Sequence, residues 1–534
     1  MSPLPSRARL GEYAIKGVHL GLRQVGRAPE QEQARALADQ APSPAGGTKV
    51  TFLTPRDWAV HVQWEGVIAQ ALRVRGADVS FITCGGGLEI CDRVNTWEGP
   101  PVPCGQCTRY VHDSIDAHGF PRTTITEGWE ADDPGEWPEL DEVSAAALTA
   151  VEAAGLPLGA MVEIPAKWFL MGARIEADPL GPVTLRRFLR SARRVVKGLA
   201  AALDREQPDV VVLLNGLFFF EAIAWELCRR RGIDVVTYER GFIKETLLFR
   251  RDAPACLGDV SHLWDQWKDV PLTPEEDREL DEYLEDRKAG RRTIDRYWID
   301  PVHEQWGEGR QGRLVTLFTN LTWDSAVIDQ EVAYPSIHEW LAASIELFAR
   351  RPEHQLVVRI HPAEVKLPGK QTREPLGEFV AERFPVLPPN VRVVAADDPT
   401  SSYPMMEASD LGLVFTSTTG LELALMGTPV MVAGRTHYRD KGFTIDVDSA
   451  ESFAAALDRA LADPGPFAPD RDLARRYAYL FFFRAPVRFP AVVEHVPGLA
   501  RITVDSLDQL APGRDPGVDR ICAEILGQPL ANSQ

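Results

Sequence analysis

The sequence predicts an α/β protein built from two mostly parallel, doubly wound sheets in tandem. Three observations predict it. Short apolar runs alternate with helical patterns over residues 49–83 and 210–238; a second such series begins at Arg313; and several runs end on polar residues where the chain must leave a strand. A length of 534 residues is too great for one ordinary core and favours two large domains with embellishments.

The elements follow in order. Residues 1–23 carry a short helical pattern, and residues 26–47, rich in Ala, Pro, Glu and Gln, read as a linker, so 1–48 is set apart as an N-terminal helix and arm. Val50 to Leu53 is a strand, Trp64 to Arg75 has helical spacing, and Val79 to Thr83 is the next strand, which makes a βαβ unit. Residues 84–143, crowded with Gly, Pro, Trp and Asp, read as an irregular insertion near a site.

Helical patterns return over 144–153 and 185–203. The second carries Arg186, Arg187, Arg190, Arg193, Arg194 and Lys197, a basic face suited to solvent, a membrane surface or a polyanion. Val210 to Leu214 is a fully buried strand and Val235 to Tyr238 another, closing a first domain over 49–310 whose tail, 274–300, is an acidic helical connector. The second domain, 311–470, shows strands at 314–318, 355–360, 391–394, 411–415 and 429–432, with helices at 337–349, 403–408, 421–426 and 450–462. Residues 471–534, opening on an aromatic run, are expected to pack back across the domains.

Bulk properties exclude some functions. A formal charge of −19 argues against nucleic acid as a partner, which needs a basic face. No apolar run is long enough to cross a membrane, and the first residues lack a signal-peptide core, so the expected location is cytoplasmic, with peripheral contact at the inner membrane face left open.

Chemistry concentrates at two strand ends of the second domain. One carries Arg359-Ile360-His361-Pro362. The other carries Ser417-Thr418-Thr419-Gly420-Leu421-Glu422, where hydroxyls and free N–H groups ahead of a helix suit a phosphate. Ligands of such sheets bind beyond the carboxyl ends of the strands, so both segments should face one crevice. His361 can donate to a phosphate oxygen, Pro362 fixes the exit from the strand, and Glu422 could accept from a ribose diol. Arg359 and Lys441 add cations locally to an acidic chain, and Ser401-Ser402 read as a helix cap.

On His361-Pro362 and Ser417-Thr418 the second domain resembles the nucleotide-sugar half of GT-B glycosyltransferases. The similarity is to the capsule-polysaccharide-biosynthesis branch related to bacterial Kdo transferases and sialyltransferases, which share a His-Pro and a Ser-Ser/Thr motif; glycerophosphotransferases of teichoic acid synthesis are more weakly similar. The resemblance covers about residues 310–465. It implies two Rossmann-like domains facing a cleft. Contact with the nucleotide and its phosphate would fall to His361, Pro362, Ser417 and Thr418, with Thr419 and Glu422 beside them. It implies inverting, metal-independent transfer from a nucleotide sugar, a CMP-linked acidic sugar being favoured, to a surface glycan or lipid-linked acceptor. An epimerase of the same double shape and a non-catalytic glycan-assembly protein are the alternatives.

Inverting transfer needs a base for the acceptor hydroxyl, expected in the first domain. Asp57 and Glu239, each just past a strand, are candidates, and His61 is a third. Asn320, Trp323 and Asp324 could line the cleft mouth. No cofactor is expected for catalysis. The cysteines at 84, 91, 104 and 107 (Cys84, Cys91, Cys104, Cys107) could hold a structural zinc; free thiols or a local disulfide are equally open.

Overall fold

A computed structural model describes residues 16–23, 25–42, 46–129, 137–291, 302–306, 312–325, 327–367 and 369–529. Fifteen strands are named among them: β1 Lys49–Thr54, β2 Asp78–Thr83, β3 Arg122–Thr124, β4 Val210–Leu214, β5 Asp234–Arg240, β6 Thr246–Arg251, β7 Leu314–Phe318, β8 Gln355–Arg359, β9 Val391–Val394, β10 Leu411–Val414, β11 Val430–Val432, β12 Ile445–Asp446, β13 Val487–Arg488, β14 Val492–Val496 and β15 Leu499–Ile502.

The first sheet has the order β13-β6-β5-β4-β1-β2-β3, parallel from β5 to β3 and antiparallel at β6 and β13. The second, β12-β11-β10-β7-β8-β9, is parallel throughout. In each sheet the chain winds outward one way, returns, and winds the other way. The switch falls between β1 and β4 in the first sheet and between β7 and β10 in the second. Crevices for ligands open at such points, beyond the carboxyl ends of the strands.

Local sequence accounts for the layers. Every residue of Val210–Leu214 and of Leu314–Phe318 is buried, as strands covered by helices on both faces must be. On one face of the first sheet, helix Ala59–Val74 joins a core with Phe52, Phe81 and Tyr238; on the other, helix Gly181–Glu206 buries Leu185, Phe188, Leu189, Val195 and Leu199 with Ile82, Val211 and Leu213.

Residues 84–143 are less irregular than expected. Helix Cys104–Ala117 buries Tyr110, Val111, Ser114 and Ile115 on one stripe and delivers the chain to β3, which extends the parallel sheet in register with β2. The stretch therefore contains a third βαβ step. A strand of three residues, two of them Thr, has too short an apolar run to announce itself. Residues 145–150 form a 3₁₀ turn where an α-helix was expected.

Several cations of the basic helix are engaged within the fold. Arg186 donates to the Leu140 and Val143 carbonyls, Arg190 pairs with Asp141, Arg194 donates to the Gly87 carbonyl and lies over the Trp129 ring, and Arg205 pairs with Glu127. These cations fasten the 84–143 region to the sheet.

Helix Pro274–Lys288 leads toward the second sheet, capped by Thr273 and Glu276, with Arg475 of helix Arg471–Tyr479 pairing to Asp277 and Asp281. The C-terminal segment then crosses back: β13 adds to β6, the β14–β15 hairpin packs on helix Ala59–Val74, and helix Pro516–Leu526 covers the same core with Ile521 and Ile525.

Candidate functional site

At the switch of the second sheet, the loop after β7 and the end of β10 interlock: the Thr416 N–H donates to the Asn320 Oδ1 at 3.3 Å. Thr322 and Thr416 are buried, and neither hydroxyl has a hydrogen-bond partner. Buried hydroxyls are ordinarily satisfied, and water or a ligand at the switch would satisfy these two. Both lie at carboxyl ends of strands flanking the switch.

Ser417, Thr418 and Thr419 open helix Thr419–Met426 beside them. The Ser417 Oγ accepts the Thr419 N–H at 3.3 Å and donates to the Thr419 hydroxyl at 3.1 Å, so part of this hydroxyl set is spent on the turn itself. Tyr438 braces the turn by donating to the Ser417 carbonyl at 2.5 Å, and it lies so close to Gly420 that a Cβ there would collide with its hydroxyl. The N–H groups of Thr419, Gly420, Leu421 and Glu422 are taken up by Ser417 and Thr418, so a helix start held this way presents its dipole at a fixed place.

His361 follows β8 by two residues. Its backbone N–H donates to the Thr319 hydroxyl at 2.9 Å, and its Nδ1 accepts the Ala363 N–H at 3.2 Å. Desolvation, reinforced by Arg359, lowers its pKa to about 4, so the ring is neutral at ordinary pH. A neutral imidazole whose Nδ1 accepts carries its proton on Nε2, which makes that nitrogen a donor. Pro362 starts the short helix Ala363–Lys366.

Other sequence candidates are placed elsewhere. The buried Arg359 guanidinium donates to the carbonyls of Ala395, Asp398 and Thr400, holding the loop after β9. The Glu422 carboxylate accepts from Arg287 at 3.0 Å and from the Tyr403 hydroxyl at 2.7 Å, tying its helix to the connector. Lys441 donates to Ser261 and to the Arg439 carbonyl. Ser401 caps helix Ser402–Ala408, as expected.

In the first domain Asp57 is ion-paired with Arg93. Burial, with help from Arg240 and Arg56, depresses His61 to about 3, a poor proton acceptor near neutrality. Glu239, at the carboxyl end of β5, differs. Burial pushes its carboxyl up to about 7 against the opposing pull of the Arg240 N–H and guanidinium, and the Asp324 charge from the loop after β7 pushes the same way. Side chains at the ends of the two sheets thus feel one another across the domain boundary. Behind Glu239, Glu65 accepts from the Thr54 and Tyr238 hydroxyls, each at 2.5 Å. Arg56 is buried between Asp92 and Glu221.

The wall between the domains is aromatic. Trp58, Phe218, Trp168 and Trp323 follow one another in edge-on pairs with centroids 5.8, 5.4 and 5.2 Å apart. Trp323 donates to the Thr372 hydroxyl at 2.8 Å. Nearby, Arg373 pairs with Asp178, Asn95 donates to the Gly369 carbonyl, and Trp97 donates to the Gln371 carbonyl, so the loop after His361-Pro362 is bolted to the first domain.

Cys84, Cys91, Cys104 and Cys107 are free thiols, and among the described residues no group of three or more His, Cys, Asp or Glu is arranged to hold a metal ion. Burial raises Cys84 to about 12 and holds Cys91 well above its ordinary value. The zinc expectation finds no support in this arrangement.

Thr322 and Thr416 were not singled out as ligands in the sequence; Thr416 adjoins the hydroxyl motif, whereas Thr322 has no local signal. Glu65 carries no local signal in the sequence, and the fold places it against the Tyr238 hydroxyl.

Comparison with known proteins returns no curated protein. Among solved structures, a beta Kdo 2,4 transferase, KpsC of Thermosulfurimonas dismutans, is 15% identical over 56% of this chain and 86% of that one, at a TM-score of 0.37. The beta Kdo 2,7 transferase of the same KpsC is 12% identical over 62% and 88%, at 0.33. A UDP-GlcNAc 2-epimerase from Neisseria meningitidis is 9% identical over 82% and 98%, at 0.25. Likenesses of this strength fix neither substrate nor reaction. The family model described as capsule polysaccharide biosynthesis protein matches residues 275–468, which span the connector helix and the whole second sheet. The match to that family is therefore carried by the connector helix and the second domain.

Proposed function

We propose that the protein is a glycosyltransferase that moves a sugar from a nucleotide-activated donor to a hydroxyl of a surface or capsular glycan. The observation that carries this reading is the facing of two strand ends. At one, unpartnered buried hydroxyls stand beside a helix start; at the other, at the end of the first sheet, a carboxyl raised to about 7 feels Asp324 of the opposite domain.

The second domain takes the donor. The dipole at the start of Thr419–Met426 and the His361 Nε2–H stabilise the nucleotide's phosphate, while the Thr322 and Thr416 hydroxyls receive further polar atoms of the nucleotide. Glu239 takes the proton of the acceptor hydroxyl as its oxygen attacks the anomeric carbon, and the bond to the leaving phosphate breaks with its electrons going to the phosphate oxygen. Attack opposite the leaving group inverts the anomeric centre. Hydrogen-bond donors suffice to stabilise the leaving phosphate, so no metal is assigned a role. A CMP-linked acidic sugar is the favoured donor, on the His361-Pro362 and Ser417-Thr418 resemblance.

Release of free nucleotide from CMP-, UDP- and GDP-sugars in the presence of a capsular glycan tests the reading. Release that depends on the glycan and is lost in Glu239→Gln, with nucleotide binding retained, is the expected result. Conversion of a nucleotide sugar to its epimer without any acceptor would contradict it.

A further inference from the structure

Helix Ala59–Val74 buries a carboxyl that the transfer step does not use. Glu65 is only 2% exposed, and Arg56, the cation it feels, is already engaged by Asp92 and Glu221. Burying a carboxyl without an ion pair is costly unless hydrogen bonds meet its oxygens. Two hydroxyls meet them: Thr54, the last residue of β1, and Tyr238 of β5, each at 2.5 Å and each on its own oxygen. Both donors stand toward the carboxyl ends of the strands that flank β4, where the crevice of the first sheet opens.

His61 precedes Glu65 by one helical turn, on the same face, and its Nδ1 lies 3.4 Å from the Tyr238 hydroxyl oxygen. The ring is held edge-on to Trp64 at a centroid distance of 5.0 Å, with Trp58 and Tyr238 at 5.9 and 6.0 Å. Trp58 is also the first member of the aromatic wall between the domains, so this histidine borders the crevice. It is half-buried, and among the described residues no hydrogen bond reaches its Nε2.

The direction of the protons follows from the carboxylate. An ionised carboxylate only accepts, so the Thr54 and Tyr238 hydroxyls both donate to it. The Tyr238 oxygen then has lone pairs alone to offer His61, and Nδ1 must be the protonated nitrogen. Burial, with Arg240 and Arg56, keeps the ring uncharged, so Nε2 is left bare.

We propose that Glu65, acting through Tyr238, is a positioning residue that holds His61 with a bare Nε2 at the crevice, where it accepts a hydrogen bond from a hydroxyl of the acceptor glycan other than the one that reacts. The link to an acceptor rests on the transferase reading; the fixed tautomer does not.

Nitrogen NMR of the full chain labelled at histidine reads the tautomer, with the His61 signals identified by their loss in His61→Phe. Burial raises the Glu65 carboxyl to about 7, so the measurement is made at about pH 8.5, where it is ionised. The unaltered protein is expected to show a protonated Nδ1 and a bare Nε2. Glu65→Leu replaces a buried carboxyl by an apolar group of similar size, a change that cores tolerate. It leaves the His61 Nδ1 as the acceptor for the Tyr238 hydroxyl, so the tautomer should invert; Tyr238→Phe removes the link and should abolish the preference for a protonated Nδ1. With the capsular glycan of the transfer assay, His61→Phe should raise KM for the glycan about five-fold, as loss of one hydrogen bond does, and leave KM for the nucleotide sugar unchanged. A protonated Nε2 in the unaltered chain, a tautomer indifferent to both Glu65→Leu and Tyr238→Phe, or a glycan KM unmoved in His61→Phe would overturn the proposal. If the tautomer responds as expected but no nucleotide sugar is turned over with any glycan, the positioning of His61 stands and the transferase reading falls.

Discussion

At the scale of single residues, three candidate bases that look alike in sequence separate by environment. Asp57 is engaged with Arg93, His61 is depressed to about 3, and Glu239 sits near 7 because burial and Asp324 outweigh Arg240. A base works best with a pKa near the operating pH. The transfer rate at saturating substrate should therefore rise with pH through about 7 as the Glu239 carboxyl ionises. Asp324→Asn removes a like charge and should shift that limb to lower pH, which a pH–rate profile of the two proteins reads directly. Asp57 and Glu239 are marked in the sequence because each follows a strand. Their ranking depends on partners distant in the chain, such as Arg93 for Asp57 and Asp324 for Glu239.

Glu364 makes a stability prediction at the same scale. Its carboxyl is buried, accepts the Leu376 N–H at 3.2 Å, leaves one oxygen unpartnered, and is pushed up to about 8 by desolvation. The folded pKa lies above the ordinary value of about 4.3, so between these values the folded chain keeps a proton that the unfolded chain has lost. Stability contributed by this group is present in full at low pH and falls as pH rises toward 8. Glu364→Gln should remove that part of the decline, by about 3 kcal/mol at pH 8 relative to pH 5, read from urea midpoints at the two pH values.

At the scale of elements, the helix start at Thr419 depends on a close approach. Gly420→Ala places a methyl group against the Tyr438 hydroxyl and should cost about 1–3 kcal/mol, lowering the thermal midpoint and weakening nucleotide binding together. Adding Tyr438→Phe should recover part of the loss, since the colliding oxygen is gone. The second domain was legible almost element by element, because its strands are short apolar runs separated by polar turns. The 84–143 region was not. There a buried helical stripe of Tyr110, Val111, Ser114 and Ile115 is hidden among Gly and Pro, and β3 is too short to show a period. In the basic helix, Arg186, Arg190 and Arg194 answer carbonyls and a carboxylate that only the folded chain supplies.

At the scale of the whole molecule, the two domains are joined by more than the connector. Arg373 meets Asp178 at 2.6 Å, Trp168 meets Trp323, and the C-terminal segment leaves the second domain to complete the first sheet. Arg373→Ala should loosen the loop that follows His361 and raise KM for the donor several-fold while changing kcat less, a split that steady-state kinetics resolves. None of these partners is near another in sequence, so the double-sheet fold could be read from the chain but the seam could not.

The central claim is that the crevice at the β7–β10 switch binds a nucleotide. The most direct measurement is the shift in thermal midpoint on adding CMP, CDP, UDP or GDP to the full chain and to His361→Ala and Thr416→Val. At least one nucleotide should raise the midpoint of the unaltered protein, and both substitutions should diminish the shift while leaving the ligand-free midpoint within a few degrees. A protein that no nucleotide stabilises, or one stabilised equally with and without His361 and Thr416, would contradict the account.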